Sequence, residues 1–251
     1  MQRYFVTNDR FQNNYVYLDG EEVHHITRVM RMSVGDKIIC ASDKGSALCQ
    51  IETIAEKLVT ASIIEWLNER SELPNHVTIA QGMPKGDKLE LIVQKGTELG
   101  ASCFLPFYSS RSIVKWTPEK AKKKVERLSK IAKEAAEQSH RQTVPTVLTP
   151  VSFDRLCSES ARFDVKIVAY EAADEAEKYA LPKLLRRLEK DRSILFAVGP
   201  EGGFSGEEIE MLKQRGFHVC SLGPRILRTE TAALYFLSVL SYETELMRRN
   251  E

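Results

Sequence analysis

From His76 onward, the sequence alternates short apolar runs with longer segments whose apolar residues recur at helical spacing. The apolar runs predict strands at 77–81, 103–108, 165–170, 194–199 and 218–222. The longer segments predict helices at 88–99, 118–139, 181–189, 206–215 and 229–247. Such alternation is typical of a parallel sheet covered by helices on both faces. We therefore expect an α/β fold for this region.

The sequence before His76 follows a different pattern. Its β-rich, partly alternating segments predict strands at 15–18, 37–40, 47–54 and 58–66. Turn signals lie at Gly35-Asp36 and at Asp43-Lys44-Gly45, while residues 21–32 have helical spacing. The pattern indicates a small β-barrel with one helix. A polar segment at 68–74 marks the boundary, which predicts domains at 1–72 and 73–251.

Composition indicates a globular protein and limits its electrostatics. The 251 residues are 43% hydrophobic and 28% charged, and the formal net charge is +1, so any affinity for nucleic acid must come from local clusters. Five cysteines without a Cys-x-x-Cys pair are typical of reduced thiols in a cytosolic protein. We find neither a secretory signal pattern nor an apolar stretch that would span a membrane, and we expect a cytoplasmic protein.

Two loops rich in glycine and proline each follow a predicted strand. The first is Gly199–Ser205, and the second begins at Leu222-Gly223-Pro224. Gly202 and Gly203 can adopt positive φ and let a ligand approach the main chain, while the prolines stiffen the turns. These loops predict a ligand pocket, although each could also be only a tight strand-to-helix turn.

The charge of these loops narrows the ligand. Glu201 lies in the first loop and no lysine follows the glycines, which disfavours a bare triphosphate. No Gly-x-Gly-x-x-Gly stretch is present, which weighs against a dinucleotide site. A neutral or cationic ligand that carries an adenosine fits better.

A basic cluster covers the start of the long helix predicted at 118–139. Its members are Arg111, Lys115, Lys120, Lys122, Lys123, Lys124, Arg127, Lys130 and Lys133. The cluster is either a solvated helix face or a phosphate-binding patch with salt-dependent affinity for RNA. Trp116 beside it would stack on a base or pack into the core.

Three further groups are candidates for chemistry. At the end of that helix, Gln138 and Arg141 would contact a base, or would only complement the helix dipole. His24 and His25 lack further ligands at metal-binding spacing, so we predict no metal site. Arg228 and Glu230 precede a long apolar helix, where they would converge with the first loop. No nucleophile elbow occurs, which favours a site that positions two bound reactants.

Seven segments resemble the RsmE family, the bacterial small-subunit ribosomal RNA uridine N3-methyltransferases of the SPOUT superfamily. They are Arg3-Tyr4-Phe5, His25 to Arg31 with Gly35-Asp36, Lys85-Gly86-Asp87-Lys88, Lys95 to Gly100, Glu134 to Arg141, Gly199 to Ser205 and Leu222 to Ala233. The resemblance spans essentially the whole chain, and the last two segments are its most specific part. His140 departs from it, since glycine is expected there in many relatives.

The resemblance implies a PUA-like β-barrel followed by an α/β methyltransferase domain threaded into a trefoil knot. It also implies a homodimer and S-adenosylmethionine as the cofactor, bound within the knot. The cofactor residues that it implies are Gly199, Pro200, Glu201, Gly202, Gly203, Leu222, Gly223, Ile226, Leu227, Arg228, Thr231 and Ala232. A sulfonium tolerates Glu201 better than a triphosphate does.

The implied reaction is methyl transfer to N3 of a uridine in 16S ribosomal RNA, at the decoding region of the small ribosomal subunit. Uracil N3 must first lose its proton, which requires stabilisation of an anion or a base. Arg228 would stabilise the anion, Glu230 would be the base or only a helix cap, and Gln138 and Arg141 would orient the base or the RNA backbone. The residues expected to bind RNA are Arg3, Arg28, Arg31, Arg111, Lys122, Lys123 and Lys124.

Two alternatives to this reaction stay open at the level of sequence. One is a SPOUT methyltransferase that acts on tRNA, on 23S ribosomal RNA or on a ribose 2'-hydroxyl. The other is a non-catalytic RNA-binding factor for ribosome assembly. An intact cofactor pocket would argue against the second, because a pure binder needs neither glycine loop.

Overall fold

The computed structural model describes residues 1–42, 45–68, 71–174 and 177–247. Two compact units are present: residues 1–72 with 136–144 form the first unit, and residues 73–135 with 145–251 form the second. The sequence assigned 136–144 to the second domain, so the structure differs there. The predicted turn at Asp43 and Lys44 lies outside the described residues.

The first unit contains a mixed six-stranded sheet with the strand order β1-β4-β5-β6-β3-β2. Its strands are β1 Arg3–Phe5, β2 Phe11–Gln12, β3 Tyr15–Asp19, β4 Lys37–Ser42, β5 Gly45–Ile54 and β6 Leu58–Leu67. Strand β1 runs parallel to β4, and the other neighbours are antiparallel. Alternate residues such as Val16, Ile38 and Val59 are buried, so one face of the sheet covers an apolar core.

The helix predicted at 21–32 is shorter in the structure. An α-helix, α1 (Glu21–His24), continues directly into a π-helical segment at His25–Val29. The chain then leaves helical geometry, because Arg31 has a φ of 51°. A positive φ at a non-glycine residue is rare and ends a helix.

Buried polar contacts explain why residues 136–144 belong to the first unit. The guanidinium of Arg141 donates hydrogen bonds to both carboxylate oxygens of Glu72. Glu72 also accepts from the backbone N–H of Gln142 at 2.8 Å and of Thr143 at 3.2 Å. Arg3 donates to the Ser46 hydroxyl at 2.7 Å and to the carbonyl of Arg141 at 3.2 Å. Burial by itself raises the pKa of Glu72, but Arg141 and the backbone donors outweigh it, so the pKa lies below its ordinary value.

The second unit contains a fully parallel sheet, as the alternation of strands and helices predicted. Its strand order is β10-β8-β7-β12-β11-β13, with β9 beside β8. The strands are β7 His76–Gly82, β8 Cys103–Tyr108, β9 Thr146–Val147, β10 Val151–Ser152, β11 Val165–Ala169, β12 Ser193–Val198 and β13 His218–Cys220. Because all strands are parallel, the loops that follow them emerge at one edge of the sheet.

The helices of the second unit begin and end near their sequence signals. They are α2 Lys88–Glu98, α3 Pro118–Gln138, α4 Phe153–Glu159, α5 Ala180–Arg186, α6 Gly206–Gln214 and α7 Thr229–Ser241, which continues as a π-helical segment to Met247. The predicted capping box at the start of α6, between Ser205 and Glu208, is confirmed. Helix α4 was not predicted, since its seven residues are too few for a clear periodic pattern.

Apolar side chains cover both faces of the parallel sheet. The rings of Phe196 and Phe236 stack with centroids 3.8 Å apart, and Phe107, Phe153 and Phe204 form a second aromatic cluster. All five cysteines are free thiols. Among the described residues, none of the helices combines the length and apolar character that crossing a bilayer requires.

Candidate functional site

A cavity of about 490 Å³ lies within the second unit, where β11, β12 and β13 end. The loops that follow these three strands line it, together with Lys88 at the start of α2 and Thr229 and Ala232 at the start of α7. The carboxyl edge of a parallel sheet is where α/β proteins bind their ligands. The cavity is therefore the candidate site of this unit.

The structure brings most of the predicted cofactor residues to this cavity. The ones that line it are Gly199, Pro200, Glu201, Gly203, Leu222, Gly223, Ile226, Leu227, Arg228 and Ala232. Gly202 and Thr231 do not line it. A Cβ atom on Gly202 would lie 3.2 Å from the Cβ of Arg111, so this glycine admits Arg111 rather than a ligand. Thr231 is exposed on α7.

Side chains and backbone from three other segments fix the first glycine loop. The Thr229 hydroxyl donates to the Gly199 carbonyl at 2.6 Å, and Arg111 Nη1 donates to the Gly202 carbonyl at 2.8 Å. The backbone N–H of Lys85 donates to Glu201 Oε1 at 3.1 Å. Within the loop, Gly203 has a φ of 66°, and a Cβ there would lie 3.0 Å from Glu171 Oε1. The loop therefore depends on glycine at this position.

Lys88 is a cavity residue to which sequence analysis gave no role. Its Nζ lies 2.9 Å from Glu201 Oε1 and 3.2 Å from Glu230 Oε2. The hydrogen bond to Glu201 is the main cause that raises the pKa of Lys88. Burial raises the pKa of Glu201, but Lys88 and backbone donors outweigh it and hold that pKa below its ordinary value. The pair is therefore ionised at neutral pH. The sequence could have indicated Lys88 as a site residue, since it begins the helix that follows β7 at the same edge of the sheet.

The two candidate catalytic residues of the second loop have different surroundings. Arg228 is exposed and lines the cavity, and within the described residues no hydrogen bond or ion pair engages its guanidinium. The side chain of Glu230 is only 13% exposed and does not line the cavity. Its contact with Lys88 connects it to the cavity wall. Arg228 is thus available to contact a ligand, whereas Glu230 forms an ion pair with Lys88, which lines the cavity.

The remaining predicted catalytic residues belong to the first unit and do not line the cavity. Gln138 is exposed at the end of α3. Arg141 is only 1% exposed and its guanidinium is engaged by Glu72. In this structure Arg141 therefore makes a buried ion pair, and its predicted role in orienting a base or the RNA backbone stays a prediction.

The predicted RNA-binding residues divide in the same way. Arg28, Arg31, Arg111, Lys122 and Lys123 are exposed. Arg3 differs from them, since it is 1% exposed and donates a hydrogen bond to Ser46, and its expected contact with RNA stays a prediction. Lys124 is half-buried, with its Nζ 3.6 Å from Glu90 Oε1. In the part of the chain that the structure describes, no three histidine, cysteine or acidic side chains group as metal ligands would.

Comparison with known proteins places this geometry in a family. The RNA methyltransferase domain family matches residues 71–241, and the RNA methyltransferase PUA domain family matches residues 18–64. Ribosomal RNA small subunit methyltransferase E of Bacillus subtilis is 50% identical over 256 residues, which covers 100% of both chains.

Two solved structures share the fold and were determined with cofactor. A Legionella pneumophila protein in complex with the bound cofactor SAM is 32% identical, covers 95% of this chain and 96% of its own, and has a TM-score of 0.82. Ribosomal RNA small subunit methyltransferase E from Neisseria gonorrhoeae, bound to S-adenosyl methionine, is 27% identical, with 96% and 97% coverage and a TM-score of 0.82.

The parallel sheet with its edge cavity, joined to a PUA domain, defines an RNA methyltransferase. Identity over the full length makes the assignment more particular: the chain belongs to the ribosomal RNA small subunit methyltransferase E family. The predicted α/β fold class with a PUA-like first domain is confirmed. The trefoil knot stays a prediction.

Proposed function

We propose that this protein transfers a methyl group from S-adenosylmethionine to N3 of a uridine in 16S ribosomal RNA of the small ribosomal subunit. The observation that carries the proposal is the cavity between the two glycine loops, at the carboxyl edge of the parallel sheet. The family relationship supports the substrate class. The cofactor is supported by the two structural relatives that were solved with it.

The residues around the cavity fit this cofactor. A volume of about 490 Å³ suits a small molecule of this kind. The carboxylates of Glu171 and Glu201 line the cavity and favour a cation such as the sulfonium, and Leu222, Ile226 and Leu227 offer apolar surface to an adenosine. We assign cofactor binding to the ten predicted residues that line the cavity. Gly202 and Thr231 contribute through the loop and the helix that carry them.

Arg228 has the central role in the proposed reaction. When bound, S-adenosylmethionine supplies an electrophilic methyl group on a sulfonium. The target uracil must lose its N3 proton to solvent, and a guanidinium that lines the cavity with no partner among the described residues can stabilise the anion that results. Glu230 holds Lys88 at the cavity wall instead of acting as the base, because its carboxylate does not line the cavity. Exposed Gln138 keeps its proposed role in contacting RNA.

Exposed cations on each unit provide the proposed grip on RNA. They are Arg28 and Arg31 in the first unit, and Arg111, Lys122 and Lys123 in the second. A double variant, Lys122→Ala with Lys123→Ala, should make the plot of log RNA affinity against log salt concentration less steep, by the contribution of about two phosphate contacts. Lys183→Ala with Lys190→Ala removes the same charge from other exposed positions and is the matched control. Equal salt slopes in both double variants would show that Lys122 and Lys123 are solvated and do not contact RNA phosphates.

We further propose that the protein acts as a homodimer in the cytoplasm, where ribosomal subunits are assembled. Light scattering over a range of protein concentrations tests the dimer directly. A mass that corresponds to one chain at every concentration would remove the dimer from the proposal.

The reaction is tested with small ribosomal subunits from a strain that lacks the gene. The subunits are incubated with the protein and S-adenosylmethionine, the RNA is digested, and methylated nucleosides are identified by mass spectrometry. New 3-methyluridine is the expected product. Cofactor binding without this product would redirect the search to tRNA or 23S ribosomal RNA, and absence of cofactor binding would favour an assembly factor without catalysis.

A further inference from the structure

Strand β7 ends in two residues, Gln81 and Gly82, that do not line the cavity. Gln81 pairs in register with Val198, the last residue of β12 before the first glycine loop. Its side chain is fully buried. The dipeptide therefore lies beside the point where the candidate cofactor loop leaves the sheet.

A directed chain of hydrogen bonds joins Gln81 to that loop. Gln81 Nε2 donates to the Thr229 hydroxyl at 2.7 Å and to the Gly82 carbonyl at 3.0 Å. The Thr229 hydroxyl donates to the Gly199 carbonyl at 2.6 Å. A hydroxyl has one proton, and because Thr229 donates that proton to Gly199, its contact with Gln81 is one in which Thr229 accepts. The three groups form a relay with a fixed direction.

The peptide at the end of the relay has few other ways to be held. Proline has no N–H, so the carbonyl is the only hydrogen-bonding group of the Gly199–Pro200 peptide, and Thr229 is its partner. Gly82 supports the same peptide by close approach. A Cβ on Gly82 would lie 2.5 Å from the nitrogen of Pro200 and 2.6 Å from its Cδ. The Gly199–Pro200 peptide thus rests on Gly82 and is tied by Thr229.

We propose that Gln81 and Thr229 are positioning residues, which hold the Gly199–Pro200 peptide in its cofactor-binding position before the cofactor arrives. The inference rests on the proposed function of the cavity. Thr229 lines the cavity, whereas Gln81 does not, so Gln81 acts through Thr229. The Oε1 atom of Gln81 is buried and has no hydrogen-bond partner among the described residues. A leucine would avoid that desolvation cost, and the donor that the amide offers to Thr229 explains its presence.

Holding a loop in place acts on binding more than on chemistry. Preorganisation removes part of the cost of ordering the loop when the ligand binds, so loss of the relay raises the dissociation constant of the cofactor. It leaves the reacting groups unchanged once the site is full. The expected signature is a higher Kd and KM for S-adenosylmethionine with little change in kcat.

The experiment measures the Kd of S-adenosylmethionine by calorimetry, with kcat and KM on small ribosomal subunits. Thr229→Val keeps the shape of the side chain without its hydroxyl and should raise Kd about tenfold, since a buried carbonyl loses its donor. Thr229→Ser keeps the hydroxyl and should restore Kd to within about twofold. Gln81→Leu should raise Kd less than Thr229→Val does, because Thr229 can still donate to Gly199, and the double variant should be no worse than Thr229→Val alone, because both changes act on one relay.

A buried hydroxyl elsewhere in the same unit provides the control. Thr97 in α2 donates to the Val93 carbonyl at 2.7 Å and does not line the cavity. Thr97→Val therefore removes a buried hydroxyl outside the site, where Val93 keeps its helical N–H donor, and should leave Kd unchanged. A rise in Kd equal to that of Thr229→Val would show general destabilisation and overturn the proposal.

Hydrogen exchange of the loop amides gives a readout that needs no activity. Faster exchange at Gly202 to Ser205 in Thr229→Val, but not in Thr229→Ser or Thr97→Val, is expected. If wild type binds the cofactor but Thr229→Val leaves both Kd and loop exchange unchanged, the relay proposal is overturned while the proposed function stands. Failure of the wild-type protein to bind S-adenosylmethionine would overturn the proposed function and, with it, the assignment of the relay to cofactor binding.

Discussion

The two glycine loops line the same cavity but are built in opposite ways. The first, Gly199–Ser205, is held at Gly199, Glu201 and Gly202 by bonds from three other segments. In the second, 222–228, most residues are exposed, and Ile226 reaches 86% exposure. Among the described residues, the side-chain hydrogen bond to this loop is from Ser221 to the Gly223 carbonyl at 3.0 Å. The first loop, Gly199–Ser205, is therefore the fixed wall of the cavity, which is in place before a ligand binds. The second loop, 222–228, is the open wall, which the ligand must order.

The largest expected effect comes from the open wall. Arg228→Ala removes the cation that no protein group engages within the described residues, and kcat should fall by about a hundredfold to a thousandfold, as when one transition-state donor is lost. The Kd of S-adenosylmethionine should change far less. Formation of 3-methyluridine and calorimetry separate the two effects. Arg225→Ala removes an equal charge from the same loop and should act more weakly. Full activity in Arg228→Ala would remove Arg228 from the mechanism.

The next effect tests the fixed wall. Gly203→Ala places a side chain at a φ of 66° and 3.0 Å from Glu171 Oε1, so the loop must shift. We expect the Kd of S-adenosylmethionine to rise about tenfold, since strain of this kind costs on the order of 1 kcal/mol or more. Gly206→Ala is the control, because a Cβ there would have no described atom within 4 Å beyond its chain neighbours and the adjacent backbone of α6. Unchanged binding in Gly203→Ala would show that the first loop is less fixed than its bonds indicate.

The sequence was sufficient where a local rule decides the structure. Alternation of apolar runs and amphipathic helices predicted the parallel sheet, and Ser205 with Glu208 predicted the start of α6. The two glycine loops indicated the cavity because parallel strands end at a common edge. The PUA-like character of the first unit, and the reaction, needed the family resemblance.

What the sequence could not give were contacts between residues far apart in the chain. Arg141 and Arg228 have similar local signals, each at a helix end, yet Glu72 engages one and nothing described engages the other. Lys88 meets Glu201 and Glu230 only because β7 and β12 are neighbours in the sheet. Gly202 suggested a ligand, but the atom it makes room for belongs to Arg111.

A smaller effect is expected at the most exposed apolar residue of the second loop. If the ligand covers Ile226, Ile226→Ala should raise the Kd of S-adenosylmethionine about threefold to tenfold, from lost apolar contact. The stability of the free protein should not change, since an 86% exposed side chain contributes little to folding. Calorimetry and thermal unfolding measure the two quantities on one sample. A loss of stability without a change in Kd would mean that Ile226 already packs in the free protein.

The smallest effect is electrostatic and belongs to the fixed wall alone. Lys88 and backbone donors hold the pKa of Glu201 below the ordinary glutamate value of about 4.3. A carboxylate of this kind contributes stability that is fully present above the ordinary value and is lost as the pH falls through the lowered one. Wild type should therefore exceed Glu201→Gln in unfolding temperature by about 2 °C at neutral pH.

The same difference should shrink as the pH falls below the ordinary value and through the lowered pKa, because Glu201 then becomes protonated in both folded and unfolded chains. Thermal unfolding of both proteins across this range measures it. A difference that stays constant with pH would mean that Glu201 supports the loop through its neutral contacts. In that case the fixed wall would owe its position to Thr229 and Arg111, and the contrast with the second loop would rest on hydrogen bonds alone.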